Sequence, residues 1–437
     1  MNVLRPSRTH VQRTVSVLAG VGLIILLLNA SGLLPRLITA AQPQPTRPKM
    51  TATDSDINRL ERLVAEKPDD LQTRIALAGD YIQKVRETAD TSYYAKVDGL
   101  LAKVSPGDAA NDEVLSIRGS LANGRHDFAA SLALSQQAAA RNPHRAAYFG
   151  QVGDAQIELG QYAAAAASFQ TMVNLKPDLS SYSRVAYIRE LYGDVSGAET
   201  AFQTAISAGS PFIENVAFNQ TELGKLYLRT DLTKAEEAFS QALHTVPDYP
   251  PALEGLGRVA FAQDKRSRAE DYFKKAYAVL PTALNAINLG DFYAAEGDAS
   301  KADQQYQLAE LAYAKSAPDG VNNDLEHALF LAEHDRDLPK ALAQATAAYA
   351  QRPSINGADA LAWNLYKSGR YVEAAVQIKP ALQLGENDPL VLYHAGLIAA
   401  RNNDQTAAKH YLSRALELNP HFGLLQPQIA RDTLGKL

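Results

Sequence analysis

The chain has 437 residues, 46% of them hydrophobic, no cysteine and a formal net charge of −5. That length allows several domains. The small charge argues against a dedicated nucleic-acid surface, which would show a basic face and a high isoelectric point, and the missing thiols exclude disulfides, a thiolate nucleophile and cysteine-based zinc sites.

The first element is apolar. No charge falls between Arg13 and Arg36, and Val15 to Leu28 is almost wholly hydrophobic, with Leu23 to Leu28 at its centre. A run of about 20 residues crosses the hydrocarbon core, so residues 15–34 read as a transmembrane helix in spite of Asn29. A cleaved signal peptide is the alternative, with Arg5, Arg8 and Arg13 as its basic start and Thr39 and Ala41 before the cut. The long gap from Leu28 to that cut, and the apolar continuation through Leu33 and Leu34, favour an uncleaved signal-anchor. The three arginines place residues 1–14 in the cytoplasm and the rest of the chain outside it. Residues 35–53 carry Pro43, Pro45 and Pro48 and read as an extended tether.

Helical periodicity begins at residue 54, where Asp54, Ser55 or Asp56 caps a segment that runs through Leu60 and Leu63 and stops before Pro68. It forms part of a unit. Leu71 to Val104 is the first full helix pair, with a long connection from Thr88 to Tyr94. From Asp112 a register appears, with Gly119, Ala138 and Pro143 at positions 8, 27 and 32. The stretch from Ala146 to Leu179 is the cleanest copy: Gly153 at position 8, Gly160 at 15, Ala165 at 20, Phe169 at 24 and Pro177 at 32. The next copies start near Leu179 (Gly193, Ala198, Phe202, Ala205), Ala217 (Gly224, Tyr227, Phe239, Ala242), Pro250 (Gly257, Ala269, Phe273, Pro281) and Ala283 (Gly290, Tyr293, Gly297, Ala302, Tyr306).

Residues 316–323, with Pro318, Gly320 and two asparagines, break the pattern and divide an array over 54–315 from one over 324–422. Copies resume near Asn322 (Ala341, Ala348, Pro353), Ile355 (Gly369, Tyr371, Ala374) and Pro389 (Gly396, Ala408, Ala415, Pro420), which brings the count to ten and one partial unit. Residues 423–437, with Leu424, Leu425, Ile429 and Leu434, read as a capping helix over the last apolar face. The spacing has a physical cause. Positions 8 and 20 are small because two helices cross there at close range, aromatics at 11 and 24 fill the space beyond, and proline at 32 ends the second helix.

These residues identify the chain, over roughly 70–420, as resembling the tetratricopeptide repeat family, whose helix pairs cannot bury their apolar faces alone. The resemblance implies an all-α solenoid, a right-handed superhelix of antiparallel helix pairs, here preceded by one transmembrane helix. Ser183 to Asp194 and Asp359 to Arg370 also resemble a group of bacterial repeat proteins of mostly unassigned function. Members of the family act as scaffolds whose first helices line an inner surface that holds a peptide or partner helix. Their groove positions 2, 5, 9 and 12 carry over here to Asp154, Tyr187, Glu190, Lys225, Glu254, Arg258, Asp291, Glu326, Phe330, Asp359, Trp363, Tyr366 and Tyr393. The family's carboxylate clamp, with asparagine and lysine or arginine on consecutive first helices, is not evident.

Trp363, the single tryptophan, has two readings: an anchor for a ligand beside Tyr366 and Asp359, or a packing residue between repeats. His327 and His334 stand seven apart without a third ligand, so capping or solvated roles outweigh a metal. Glu236 and Glu237, like Asp69 and Asp70, read as solvated faces. No phosphate loop, zinc-protease helix or nucleophile elbow is present. The expectation is therefore a non-enzymatic, membrane-tethered scaffold that binds protein or peptide partners at the cell envelope, without cofactor or nucleic acid. An accessory subunit of a secretion, glycan-export or transferase complex is the alternative, and a soluble adaptor a third.

Overall fold

The computed structural model describes residues 52–437, which lie within one compact unit, Pro48–Leu437. The cytoplasmic tail, the transmembrane segment 15–34 and most of the tether fall outside the described residues. Among those described, no helix is long and apolar enough to cross a membrane, and every regular element is helical.

Helix α1 (Ala52–Glu66) precedes ten antiparallel pairs: α2 (Leu71–Thr88) with α3 (Tyr93–Leu101), α4 (Asp112–Gly124) with α5 (Phe128–Arg141), α6 (Ala146–Glu158) with α7 (Tyr162–Leu175), α8 (Leu179–Leu191) with α9 (Val195–Ala208), and α10 (Ile213–Tyr227) with α11 (Leu232–Thr245). The sequence continues with α12 (Pro250–Ala262) and α13 (Arg266–Val279), α14 (Ala283–Ala295) and α15 (Ala299–Ser316), α16 (Asp324–Glu333) and α17 (Leu338–Gln351), α18 (Ile355–Lys367) and α19 (Tyr371–Ala381), then α20 (Pro389–Arg401) and α21 (Gln405–Leu418). Helix α22 (Gln426–Leu434) follows the last pair.

Local chemistry starts each helix where it does. Asp127, Asp194, Asp298 and Asp404 sit just before second helices, and each side chain accepts a hydrogen bond from a first-turn amide, which satisfies a donor the helix cannot use itself. The turn before them needs a left-handed residue. Gly160, Gly193, Gly297 and Gly369 supply it without strain, with φ of 72°, 77°, 79° and 77°. His126, Asp264 and Asn403 take the same conformation in other copies.

Crossing geometry explains the small residues. A Cβ on Gly224 would stand 2.6 Å from the Phe239 ring, one on Gly257 2.8 Å from Phe273, and one on Gly153 would fall onto the Phe169 ring. The residue at position 24 therefore lies directly against position 8 of its own pair. Ala165, Ala198, Ala235 and Ala269 at position 20 have no exposed surface, and the rings of Phe169, Phe202, Phe239 and Phe273 are fully buried. Each repeat thus seals its own crossing and offers the remaining apolar face to the next.

The coil also meets itself. Turns inside repeats 2, 3 and 4 touch the connections that follow repeats 7, 8 and 9, at sequence separations of 193 to 196 residues. In the first contact Arg125 Nε donates to Asp319 O at 3.0 Å, the Asn322 amide donates to Arg125 O at 3.1 Å, and His126 Nδ1 lies 2.8 Å from Asn322 O. In the second, one repeat further along both partners, Arg352 grips Glu158 through Nε and Nη2 at 2.8 and 2.7 Å and lies over the Phe128 ring. Tyr162 OH there accepts the Ile355 amide at 2.7 Å. The third, weaker contact has Asn387 Nδ2 donating to Leu191 O at 3.4 Å. Gly160 and Gly193 are needed twice over, because a Cβ on either would strike Pro353 or Asn387 across this seam.

Candidate partner-binding face

The expected groove residues all stand on first helices, and the structure sorts them into two groups. In the earlier repeats all but Glu254 keep contact with water, and the charged ones are paired with neighbouring side chains. Asp154 receives both Nε and Nη2 of Arg184, at 2.8 and 2.6 Å. Glu190 pairs with Arg229, Lys225 with Glu222 at 2.8 Å, and Glu254 with Arg258. Arg258 also donates to Asn288 at 3.1 Å. Glu326 accepts from Arg352 at 2.8 Å and so joins the seam.

A rule emerges from these bonds. Position 6 of one first helix reaches back to the first helix before it: Gln151 to Ser116 and Ser120, Arg184 to Asp154, Asn288 to Arg258, and His394 to Asp359. A polar residue at position 6, some thirty residues after a polar partner at position 5 or 9, is the sequence signal. Arg184, Arg229, His334 and His394 are the functional-face residues that the four groove positions alone did not single out, and Glu333 holds groove position 12 of its repeat without being among the residues expected there.

Tyr187 stands apart because the residue is 39% exposed and its hydroxyl makes no bond among the described residues. Burial nevertheless pushes that hydroxyl above its ordinary pKa, with Glu158 and Glu190 adding to the effect. Both facts hold for a ring open to water inside a recess that protein walls on its other sides.

In the later repeats most of the same positions are core, although Glu326 and Tyr366 keep part of their surface in water. Trp363 is 3% exposed, and Phe330, Asp359 and Tyr393 are likewise buried; Glu254, further back, is buried too. None of these five is the freely accessible contact expected of a groove residue: Phe330, Trp363 and Tyr393 pack into clusters that the chain beyond α21 joins, and Glu254 and Asp359 are buried against Arg258 and His394. Trp363 stacks on Tyr366 at 4.7 Å and on His394 at 4.1 Å. Phe330 packs between Tyr306 and His334 at 6.0 and 5.0 Å.

Buried charge runs beneath these rings. His394 has no exposed surface, and its two nitrogens face Asp359 at 2.9 Å and Glu333 at 2.9 Å. Burial alone would lower the imidazole pKa; the charge of Asp359 and the hydrogen bonds to both carboxylates outweigh it and hold the pKa at about 10. His334 follows the same logic beside Asp291, 2.7 Å away, and is raised against a burial effect that opposes it. Asp291 also accepts from Tyr306 OH at 2.9 Å. His327, seven residues earlier, stacks on Tyr313 at 4.8 Å, and the Phe330 ring lies between the two histidines.

The tetratricopeptide repeat family matches residues 118–180, 223–283 and 390–422. A search of curated proteins finds no match. Among solved structures, the APC/C hetero-tetramer Cut9-Hcn1 is 15% identical with a TM-score of 0.49, over 88% of this chain and 67% of that one. The human IFIT1 dimer with PPP-AAAA is 16% identical with a TM-score of 0.43, over 85% and 96%. YrrB, described as a TPR protein with an unusual peptide-binding site, is 16% identical with a TM-score of 0.29, over 40% and 90%. Likenesses of this size carry none of the assignment, which rests on the family match and on ten stacked helix pairs, four of them with a glycine set against a ring at the crossing. The chain is a tetratricopeptide-repeat protein, an all-helical repeat solenoid of the kind that binds other proteins.

Proposed function

We propose that the chain is a non-enzymatic scaffold, tethered to a membrane through residues 15–34 with its repeats outside the cytoplasm, which holds a protein or peptide partner on the inner face of its first helices and organises an envelope complex. The observation that carries the binding part is the hydrated inner face of repeats 3 to 6, where Tyr187, Lys225 and Arg258 present an aromatic ring and two cations within reach of water. Such a mixture suits polar recognition of a peptide, since aromatic and arginine side chains dominate the energy of many interfaces. The uncharged apolar run before Arg36 supports the tether.

Photo-crosslinking tests the binding part. A crosslinking residue at position 187 or 225 is expected to capture one discrete partner in cells, whereas the same group at Val372, 73% exposed on second helix α19, is not. Capture from position 372 alone would sink the inner-face reading. For the tether, a carboxy-terminal reporter is expected to be degraded by external protease and the chain to leave the membrane when residues 1–34 are removed. A protected reporter would reverse the topology.

A further inference from the structure

The inner face of the last repeats is occupied by the chain itself. After α21 ends at Leu418, the backbone turns back across first helices instead of leaving the solenoid. Phe422 packs on Tyr393, position 5 of its repeat, with ring centroids 5.7 Å apart. Leu424 is buried in the cluster that contains Phe330, Leu331 and Tyr306. Gln426 Nε2 reaches Glu333, position 12 of repeat 8 and 93 residues earlier, at 3.3 Å. Ala430 of α22 caps the last pair, fully buried with Leu392, Leu397, Leu412 and Ala415 in a cluster that Phe422 also joins. Leu424 and Gln426 go beyond what a cap requires, since they carry the chain backward from the last pair to repeat 8 along the inner face of first helices.

That surface also holds an unused donor. The indole N–H of Trp363 is buried without an acceptor among the described residues, although a buried donor left unmade is costly.

We propose that the inner face of repeats 8 to 10 is a docking groove for an apolar peptide segment of the pattern aromatic–x–Leu–x–Gln, filled in cis by Phe422–Gln426 and taken over by a partner segment of the same chemistry. The aromatic ring sits against Tyr393, the leucine enters the Phe330 cluster, and the carboxamide binds Glu333. This deepens the scaffold reading by naming a second stretch of inner face, but its test uses no external partner, so it stands or falls separately from capture at positions 187 and 225.

The single tryptophan lies at this groove and reports on it. The double variant Phe422→Ala with Leu424→Ala leaves α22 intact. It is expected to melt cooperatively while Trp363 emission shifts to the red, and to bind a synthetic peptide spanning residues 420–428 with return of the emission. The unmodified chain should bind that peptide about 10-fold or more weakly, because a tethered segment competes at an effective concentration on the order of millimolar. A peptide with alanine at both apolar positions should bind neither chain. A folded variant that keeps its emission and takes no peptide overturns the proposal. Should the variant fail to fold, hydrogen exchange on the unmodified chain decides: amides of 421–434 that open well before those of α20 support it, and amides that exchange only with global unfolding overturn it.

Discussion

The inner faces of repeats 3 and 10 present related positions in opposite states. In repeat 3, Asp154 and its partner Arg184 keep about a third of their side-chain surface in water. In repeat 10, His394 and its partner Asp359 are sealed off, although Arg184 and His394 hold the same position 6 and both reach back to the preceding first helix. The difference is not in the repeat. It comes from what lies over it: open solvent in one case, and in the other the stacked rings of Trp363 and Tyr366 with the returning segment 422–426. Exposure decides the energetics, because a hydrated pair gives little and a buried one is costly to break.

The largest expected effect is at the sealed end. His394→Ala leaves Asp359 and Glu333 facing each other without a cation and should cost about 3–5 kcal/mol, as removal of one member of a buried ionic group does; equilibrium unfolding in urea measures it. A loss below about 1 kcal/mol would show that water enters the pair. The sign with pH follows from the raised pKa. His394 contributes its full stabilisation below the unfolded imidazole value of about 6.5, and the contribution is lost as pH rises through the folded value of about 10. Melting temperature should therefore fall between pH 7 and 10 in the parent more steeply than in His394→Gln.

A smaller effect strikes the crossing beneath the open end. Gly153→Leu drives a side chain into the Phe169 ring and should cost about 1–3 kcal/mol by overpacking, with partial recovery when Phe169→Ala makes room. An unchanged melting curve would refute the assignment of position 8.

The seam lies between the extremes, since Arg352 is mostly buried but bridges Glu158 and Glu326 at the surface. Arg352→Ala should cost about 1–2 kcal/mol for the charge-assisted bonds lost, and the coil should loosen, read as a larger radius of gyration in solution scattering. Scattering that does not change would mean that stacking alone sets the pitch. The smallest effect belongs to Asp154→Asn, at most about 1 kcal/mol and weaker still at high salt; a larger value would place this pair with the sealed one.

Much of the architecture was legible in the sequence. Gly153 against Phe169 and Ala165 at the crossing are statements about one repeat, and a local rule can be read from a local pattern. The groove positions were legible as places on first helices but not as exposed or buried surface. Trp363 shows why: the same spacing that set it on the inner face says nothing of a segment sixty residues later that lies over it. The seam was equally hidden, because Gly160 and Gly193 look like ordinary turn glycines, and their second duty depends on Pro353 and Asn387 arriving from across the coil.

The sequence by itself determined the helix pairs, their close crossings and the residues that start and stop each helix, because those depend on contacts within about one repeat length. Only the tertiary structure decided which inner-face charges stay in water, which become core, and which loops clasp. These depend on small rotations summed over many stacked repeats, and they bring together residues nearly two hundred positions apart that no period connects.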